Sequence, residues 1–234
     1  MPRPRVPDRR ARILDAAHDL ILENGWPSTT VAGVAARAGI GKGAVYLELP
    51  DKAAILDAVL RRSTRDLTAE VRRRVVGADG PVDLPTVYRF GTEALLADPL
   101  MRALYVGDAS LLGDHVRDVA GGAGGDRYAE RFGWLAEYVA RLQDAGVVDP
   151  AVPTAAVVRV LGIFSVGLVH APGTLGATSD DALRDAVALF ADLVGRGLAA
   201  DRPADLPADV EAARAAQLGL LARLDHQLDL LEEP

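Results

Sequence analysis

The chain has 234 residues, enough for one large domain or two small ones; half are apolar and a quarter are charged. It contains no cysteine, which excludes disulfides, thiolate metal sites and a cysteine nucleophile. The net charge of −7 is unevenly spread: residues 1–75 carry 14 Lys and Arg against 9 Asp and Glu, and residues 76–234 carry 12 against 24. This asymmetry predicts a basic contact module joined to an acidic body, although ordinary variation between helices would also produce it.

The sequence also argues against a membrane or metal protein. No apolar segment follows the basic start, and no run of about eighteen uninterrupted apolar residues exists. The histidines, at positions 18, 115, 170 and 226, lack the spacing of a metal site. We therefore expect a cytoplasmic protein with no secretory signal, no membrane span, no metal and no cofactor.

Four helices are predicted in the first 76 residues, over 8–24, 30–38, 42–47 and 51–76. Gly25 and Gly39 end the first two, as expected near helix C-termini. Thr29 or Thr30 caps the second helix, and Asp51 caps the fourth. The second and third helices are therefore separated by a very short, glycine-containing turn.

Beyond a break rich in Gly, Pro and Asp at 77–85, helical periodicity continues and no alternating strand is recognisable. The predicted helices cover residues 85–97, 99–118, 126–145, 151–171 and 179–199. We therefore predict an all-α fold.

Two of the later helices suggest an extensive buried surface. Residues 155–169 are apolar nearly all round, which requires burial on most sides. Residues 183–198 align a seam of Leu183, Val187, Phe190, Val194 and Leu198. Paired, the two helices would bury a large area inside the monomer or against a second copy, and we favour the second copy.

The C-terminal tail carries a short leucine stripe with spacings of 3, 4 and 3, at Leu221, Leu224, Leu228 and Leu231. Such a stripe is typical of a coiled coil but is short here. We favour docking of this helix onto the body of its own chain.

The stretch AGIGKGAVY, residues 38–46, could be a phosphate-binding loop or the turn between two helices. A P-loop needs a glycine at position 36, where the chain has Ala, and a hydroxyl residue after Lys42, where it has Gly43. A dinucleotide-binding fingerprint needs a preceding strand, whereas a helix precedes this stretch. The remaining interpretation is a helix-turn-helix whose second helix enters the major groove of DNA.

Residues 25–56 resemble the DNA-binding signature of the TetR family of bacterial repressors. The positions that match without a gap are Gly25, Trp26, Thr29, Thr30, Val31, Ala35, Ala38, Gly39, Lys42, Gly43, Tyr46, Pro50 and Lys52. The resemblance covers roughly the first 55 residues; the remainder fits the family only in length and helical character.

The resemblance implies a three-helix helix-turn-helix DNA-binding domain over 1–52. A long fourth helix would join it to a helical ligand-binding and dimerisation domain over 53–200, and an extra C-terminal helix would lie within 201–234. The implied function is a ligand-responsive regulator, and we favour a repressor. It would bind a near-palindromic operator as a homodimer and be released by a small molecule, expected to be apolar or aromatic.

The resemblance also implies DNA contacts for individual residues. Thr29 or Thr30 would contact phosphate, as would Lys52, and Tyr46 would pack or touch the DNA backbone. The expected DNA-binding set is Thr29, Thr30, Gly41, Lys42, Gly43, Ala44, Tyr46, Leu47 and Lys52.

Some residues depart from the family pattern. Gly41 stands where Ser or Thr is common, and Glu48 and Leu49 stand where aromatic residues are frequent. Glu48 would repel phosphates unless it turns away or pairs with an arginine, and Leu47 can meet only a thymine methyl. N-terminal arginines could compensate by tracking the DNA, or could form a solvated tail: Arg3, Arg5, Arg9, Arg10 and Arg12.

The sequence offers a few candidate residues for contact with an effector. Trp134 and Tyr138 lie one helical turn apart, and Phe164 lies in the very apolar helix. The full candidate set is Tyr105, Leu111, His115, Trp134, Tyr138 and Phe164. Aromatic residues at helical spacing are more often ordinary core, so that alternative stays open.

Two other functions compete with the repressor. An enzyme on a helical scaffold would need converging acid, base or nucleophile, and the sequence suggests none. A protein of the same architecture that has lost operator binding could act as an interaction module, which only Glu48 and Gly41 favour.

Overall fold

A computed structural model describes residues 8–80, 82–106, 108–113, 125–175, 179–200 and 208–230. These residues form helices and one isolated bridge, between Val148 and Ala199, with no strand among them. The predicted all-α fold is therefore confirmed.

The helices of the described residues are α1 (Arg9–Asn24), α2 (Val31–Ala38), α3 (Lys42–Glu48), α4 (Lys52–Val76), α5 (Leu84–Ala97), α6 (Pro99–Val106), α7 (Ala109–Leu112), α8 (Gly125–Asp144), α9 (Thr154–Leu175), α10 (Asp180–Leu198) and α11 (Val210–Leu230). None of them combines the length and apolarity that crossing a bilayer requires.

The chain divides into two compact units. The first comprises Met1–Thr64 and Pro99–Gly121, and the second comprises Arg65–Asp98 and Gly122–Pro234. Helix α4 contributes residues to both. The functional division into domains 1–52, 53–200 and 201–234 stays a prediction.

The core of the first unit is built from α1 to α4 together with α6 and α7. Ile13, Ile21 and Val34 are fully or almost fully buried, and Leu100 and Leu112 join the same cluster. Residues 99–106 and 108–113 therefore pack as part of the N-terminal unit, although they lie far from it in sequence.

Two glycines set the turns of this unit because each has a positive φ. Gly25 (φ 75°) ends α1 and donates its N–H to the Ile21 carbonyl; a Cβ here would stand 2.8 Å from the Ser110 carbonyl oxygen. Gly39 (φ 68°) ends α2 in the left-handed conformation and donates to the carbonyls of Ala35 and Ala36. Both residues must be small and conformationally free for α2 and the α6–α7 segment to approach α1.

The single helix predicted over 99–118 is wrong within the described residues. Helix α6 ends at Val106, and Asp108 starts α7 by accepting hydrogen bonds from the N–H groups of Ser110 and Leu111. The apolar periodicity continues through this region, but the Asp side chain competes locally for backbone donors and begins a new turn. Residues 114–118 lie outside the described residues.

The second unit has its core between α8, α9 and α11. Val139 and Leu161 are fully or almost fully buried there, as is Ala213 on α11. Helix α9 extends to Leu175, four residues past its predicted end. Helix α11 packs against α8, so docking of the C-terminal helix onto its own chain is confirmed.

The apolar seam predicted on residues 183–198 faces the protein's own interior. Leu183 and Val187 are buried, and Phe190 and Val194 pack against the second unit's core. A neighbouring face of α10 exposes Leu189 and Leu193 by 61% and 62%. Helix α9 similarly exposes Val160 and Ile163, by 51% and 66%, so burial on most sides is not achieved within one chain.

Candidate nucleic-acid interface

Helix α3 has one face in the core and one in solvent. Val45 is fully buried and Leu49, just after the helix, is 4% exposed. On the other side Tyr46 is 45% exposed and Leu47 is 80% exposed. Lys42 is also exposed, and its Nζ lies 5.8 Å from the centre of the Tyr46 ring. A helix of this kind presents a compact set of side chains to a partner while two apolar anchors hold its orientation.

Gly41 and Gly43 leave open space at the beginning of this helix. A Cβ added at either position would meet no atom of the protein within 4 Å, and neither residue has a positive φ. The fold itself therefore does not require glycine here. The absence of side chains allows an external partner to come close to the backbone, and Ala44 next to them is small and only half-buried.

The two threonines before α2 have different roles. Thr30 is exposed, and its Oγ1 accepts the N–H of Gly33 at 3.0 Å, which makes it the N-cap. Thr29 is 3% exposed, and its hydroxyl donates to the Gly25 carbonyl at 2.9 Å. Of the two candidates for a phosphate contact, Thr29 is therefore buried and engaged within the fold, and Thr30 alone is presented to solvent.

Lys52 is folded against the protein. Its Nζ donates to the carbonyls of Trp26 at 2.9 Å and Pro27 at 3.4 Å, and lies 4.3 Å from the centre of the Trp26 ring. Burial lowers the pKa of Lys52. Lys52 was expected to contact a phosphate, and within the protein it connects the start of α4 to the turn after α1.

Glu48 pairs with arginines, which was one of the two ways it could avoid repelling DNA. Arg9 Nη1 lies 3.2 Å from Glu48 Oε1, and Arg10 Nη1 donates to the Glu48 carbonyl at 3.3 Å. Arg12 lies beside Gly39, where its Nη2 is 3.0 Å from the position a Cβ would take. Arg3 and Arg5 lie outside the described residues.

A family model of bacterial regulatory proteins, the tetR family, matches residues 13–59, which run from α1 into α4. Over these residues the chain is similar to the tetR family. The helix-turn-helix expected from the sequence is therefore α2, the turn at residues 39–41, and α3.

Among relatives, the HTH-type transcriptional regulator BetI of Burkholderia mallei (strain NCTC 10229) is 45% identical over 74 residues. The match covers 31% of this chain and 38% of BetI. The chain thus spans well under half the length of the relatives it matches.

Two solved structures share the fold over most of the chain. A Syntrophomonas wolfei protein classed as a TetR-family transcriptional regulator has a TM-score of 0.55 at 17% identity, covering 83% of this chain and 98% of its own. A Rhodococcus sp. protein of the same class has a TM-score of 0.53 at 18% identity, covering 81% and 99%. The shared fold thus extends well beyond residues 13–59.

The candidate effector residues are not gathered in one described cavity. Tyr105 and Leu111 lie in the first unit, where the Leu111 carbonyl accepts the N–H of Trp26 at 2.6 Å. Burial raises the pKa of Tyr105. His115 lies outside the described residues.

The other three candidates belong to the second unit but to different clusters. Trp134 and Tyr138 line a small cleft of about 30 Å³ between α8 and α11. Phe164 stacks on Phe190 with ring centres 3.5 Å apart, and Tyr88 meets both rings edge-on. An apolar cleft of about 160 Å³ lies between α9 and α10, lined among others by Val157, Leu161, Val194 and Leu198. Sequence reasoning gave no signal for this second cleft.

In the described ranges no three His, Cys, Asp or Glu side chains gather as a metal site would require.

Proposed function

We propose that this chain is a transcriptional regulator that binds duplex DNA through α2, the turn at 39–41 and α3. The observation that carries the proposal is the solvent face of α3. Lys42 and Leu47 project from this face, and Gly43 leaves the backbone accessible. Val45 and Leu49 anchor the helix in the core. A helix of this kind fits the major groove, with glycine permitting a close approach of its backbone.

The individual contacts follow from side-chain chemistry. Lys42 and the exposed hydroxyl of Thr30 suit phosphate oxygens, which fix the protein's position on the duplex. Leu47 has no hydrogen-bonding group, so its contribution to specificity is contact with a thymine methyl. Lys52 uses two of its three N–H donors on Trp26 and Pro27, which leaves one for a phosphate.

We propose that the regulator acts as a homodimer. Support comes from the apolar side chains that α9 and α10 expose, at Val160, Ile163, Leu189 and Leu193. A surface of this kind on two neighbouring helices is typical of an interface. A twofold dimer would place two α3 helices one DNA turn apart, roughly 34–36 Å, on a near-palindromic operator.

The finer proposal is a repressor that a small apolar or aromatic molecule releases from DNA in the cytoplasm. Such an effector must bind the two body conformations with different affinity, because only a differential affinity can shift their populations. Helix α4 is the element shared by both units and would carry the change. The aromatic cluster of Tyr88, Phe164 and Phe190 supports an apolar effector.

The proposal is tested by selecting duplexes that the purified full chain retains from a random-sequence library. We expect enrichment of a motif with two inverted half-sites about ten base pairs apart, centre to centre. Leu47→Ala is expected to change the enriched bases within each half-site. If no sequence is enriched, the chain is not an operator-binding protein, and the interaction-module alternative takes its place.

A further inference from the structure

Glu48 is an acidic residue on a helix surface that is otherwise suited to DNA. It is the only acid within α3, and it follows Leu47, which is 80% exposed. A carboxylate here adds a negative charge beside a polyanion and also lies at the negative end of the helix dipole. Its presence needs a local explanation.

The explanation lies in the two arginines that open α1. Arg9 reaches the Glu48 carboxylate, with Nη1 3.2 Å from Oε1. Arg10 reaches the same residue through the backbone, with Nη1 donating to the carbonyl oxygen at 3.3 Å. One residue of α3 thus holds two guanidinium groups from a helix 38 or more positions away in sequence.

Stability of the fold does not account for this arrangement. The Arg9 and Glu48 side chains are 22% and 29% exposed, and partly exposed ion pairs contribute little to stability. Two arginines in the first turn of α1 also face the positive end of their own helix dipole, and that turn carries no acidic residue. Asp8, at the N-cap, makes no side-chain capping bond.

The paired arginines keep most of their capacity to bind an anion. A guanidinium has five N–H donors in a planar fork, and the contact with Glu48 uses one donor from each arginine. Arg9, Arg10 and Glu48 together keep a net positive charge. Arg12 adds a further guanidinium beside Gly39, in the turn before α3.

We propose that Glu48 is a positioning residue for DNA binding: it holds Arg9 and Arg10 beside α3, so that both guanidinium groups meet phosphates flanking the bases that Leu47 reads. The inference rests on the proposed function, and it names two arginines that would supply part of the protein's contact with the DNA phosphates. An arginine that is held in position suits a phosphate, because the N–H groups of its guanidinium can donate to two phosphate oxygens at once.

The test compares full-length variants on a duplex recovered by library selection and on its scrambled counterpart, across a salt series. Glu48→Ala removes the charge and the side-chain acceptor of Arg9 but keeps the backbone carbonyl that Arg10 uses, whereas Glu48→Gln removes the charge but keeps an oxygen that can accept from Arg9. Asp15→Ala is the charge-matched control, because it removes an equal charge from an acid of α1 whose partner is Arg62 on α4, at 2.6 Å. Thermal melts verify that each variant folds.

If Glu48 positions the arginines, wild type binds the selected duplex most tightly, Glu48→Gln less so and Glu48→Ala least. We expect about a fivefold to tenfold loss for Glu48→Ala and a salt slope smaller by about one, as for a lost phosphate contact. Adding Glu48→Ala to Arg9→Ala should cost little more, because both act through the same guanidinium.

If Glu48 is only a repulsive charge, Glu48→Ala and Glu48→Gln both bind as tightly as wild type or more tightly, and the inference is overturned. Tighter binding by these variants leaves the proposed function intact, since wild type still prefers the selected duplex. A wild-type chain that binds neither duplex overturns both.

Discussion

Lys52 Nζ lies 4.3 Å from the centre of the Trp26 ring and donates to the Trp26 carbonyl at 2.9 Å. The contact fastens the first residue of α4 to the turn between α1 and α2. The start of α4 is thereby attached to the segment that sets the packing of α1 against α2.

Lys52→Met is therefore expected to lower the free energy of unfolding by roughly 1–2 kcal/mol, because the Trp26 ring and carbonyl lose their cation. Lys42→Met, at an exposed lysine of α3, should change it by less than about 0.5 kcal/mol. Denaturant unfolding of both variants is the measurement. Equal losses for the two lysines would show that the Trp26 contact adds nothing to stability.

Gly43→Ala should separate stability from DNA binding. A Cβ at this position meets no protein atom within 4 Å, so replacing a helical glycine is expected to stabilise the fold by up to about 1 kcal/mol. The same Cβ would stand between α3 and DNA and weaken operator binding by about tenfold, ~1.4 kcal/mol. Gly219→Ala on α11, also in open space, is the matched control and should leave binding unchanged. Unaltered binding by Gly43→Ala would mean that α3 does not approach DNA at this point.

Gln217 is expected to be a strong determinant of the stability of the second unit. Its amide donates to the Val82 carbonyl at 2.7 Å and to Tyr138 Oη at 3.2 Å, and accepts the Val82 N–H at 3.1 Å. Gln217→Leu should cost roughly 2–4 kcal/mol, because each polar group left unpaired costs about 1–3 kcal/mol. Tyr138→Phe, which removes one of these partners, should cost less. Chemical denaturation of both variants is the measurement. A smaller loss of stability for Gln217→Leu than for Tyr138→Phe would contradict a stabilising role for the Gln217 hydrogen bonds.

Glu137 should make the second unit sensitive to acid. Hydrogen bonds from Arg223 and Arg141 lower the pKa of Glu137 from 4.5 to about 2. Because the pKa is lower in the folded state, the stabilisation is fully present above pH 4.5 and is lost as the pH falls towards 2. As the pH falls from 4.5 towards 2, the melting temperature of Glu137→Gln should decrease less steeply than that of wild type. Parallel curves for the two proteins would show that the Arg223 contact between α8 and α11 does not stabilise the fold.

Leu193→Asp should weaken the proposed dimer. Leu193 is 62% exposed on α10, and a carboxylate there would be buried without a partner in an apolar interface. Val210→Asp is the matched control, since Val210 is 50% exposed but lies on α11. Sedimentation equilibrium should show a monomer for Leu193→Asp and a dimer for wild type and Val210→Asp. A dimer for all three would place the interface elsewhere.

Local signals were sufficient for most of the fold. Glycine at positive φ, a threonine cap and an apolar spacing of three and four residues placed α1 to α4 to within a residue or two. The break before Asp108 was missed because apolar periodicity runs through it, whereas the break depends on one carboxylate accepting two N–H groups. Periodicity reports which face is buried and does not register such a cap.

The sequence was sufficient to propose residues for the candidate site but not to predict whether each side chain is buried or exposed. Thr29 and Thr30 are equally good caps in sequence, and only tertiary packing buries the first and exposes the second. The contacts of Lys52 with Trp26 and of Arg9 with Glu48 join residues 26 and 39 positions apart. Pairings over such distances depend on how the helices pack, which local sequence patterns do not reveal.

The most direct test of DNA reading by α3 is the affinity of the full chain for its selected duplex and for a scrambled duplex across a salt series. Wild type is expected to prefer the selected duplex by about a thousandfold or more, with log Kd rising linearly with log salt. Leu47→Ala should reduce the preference while keeping the slope, and Lys42→Met should reduce the slope by about one while keeping the preference. Equal affinity of wild type for both duplexes, or a Leu47→Ala variant with undiminished preference, would contradict DNA reading by α3.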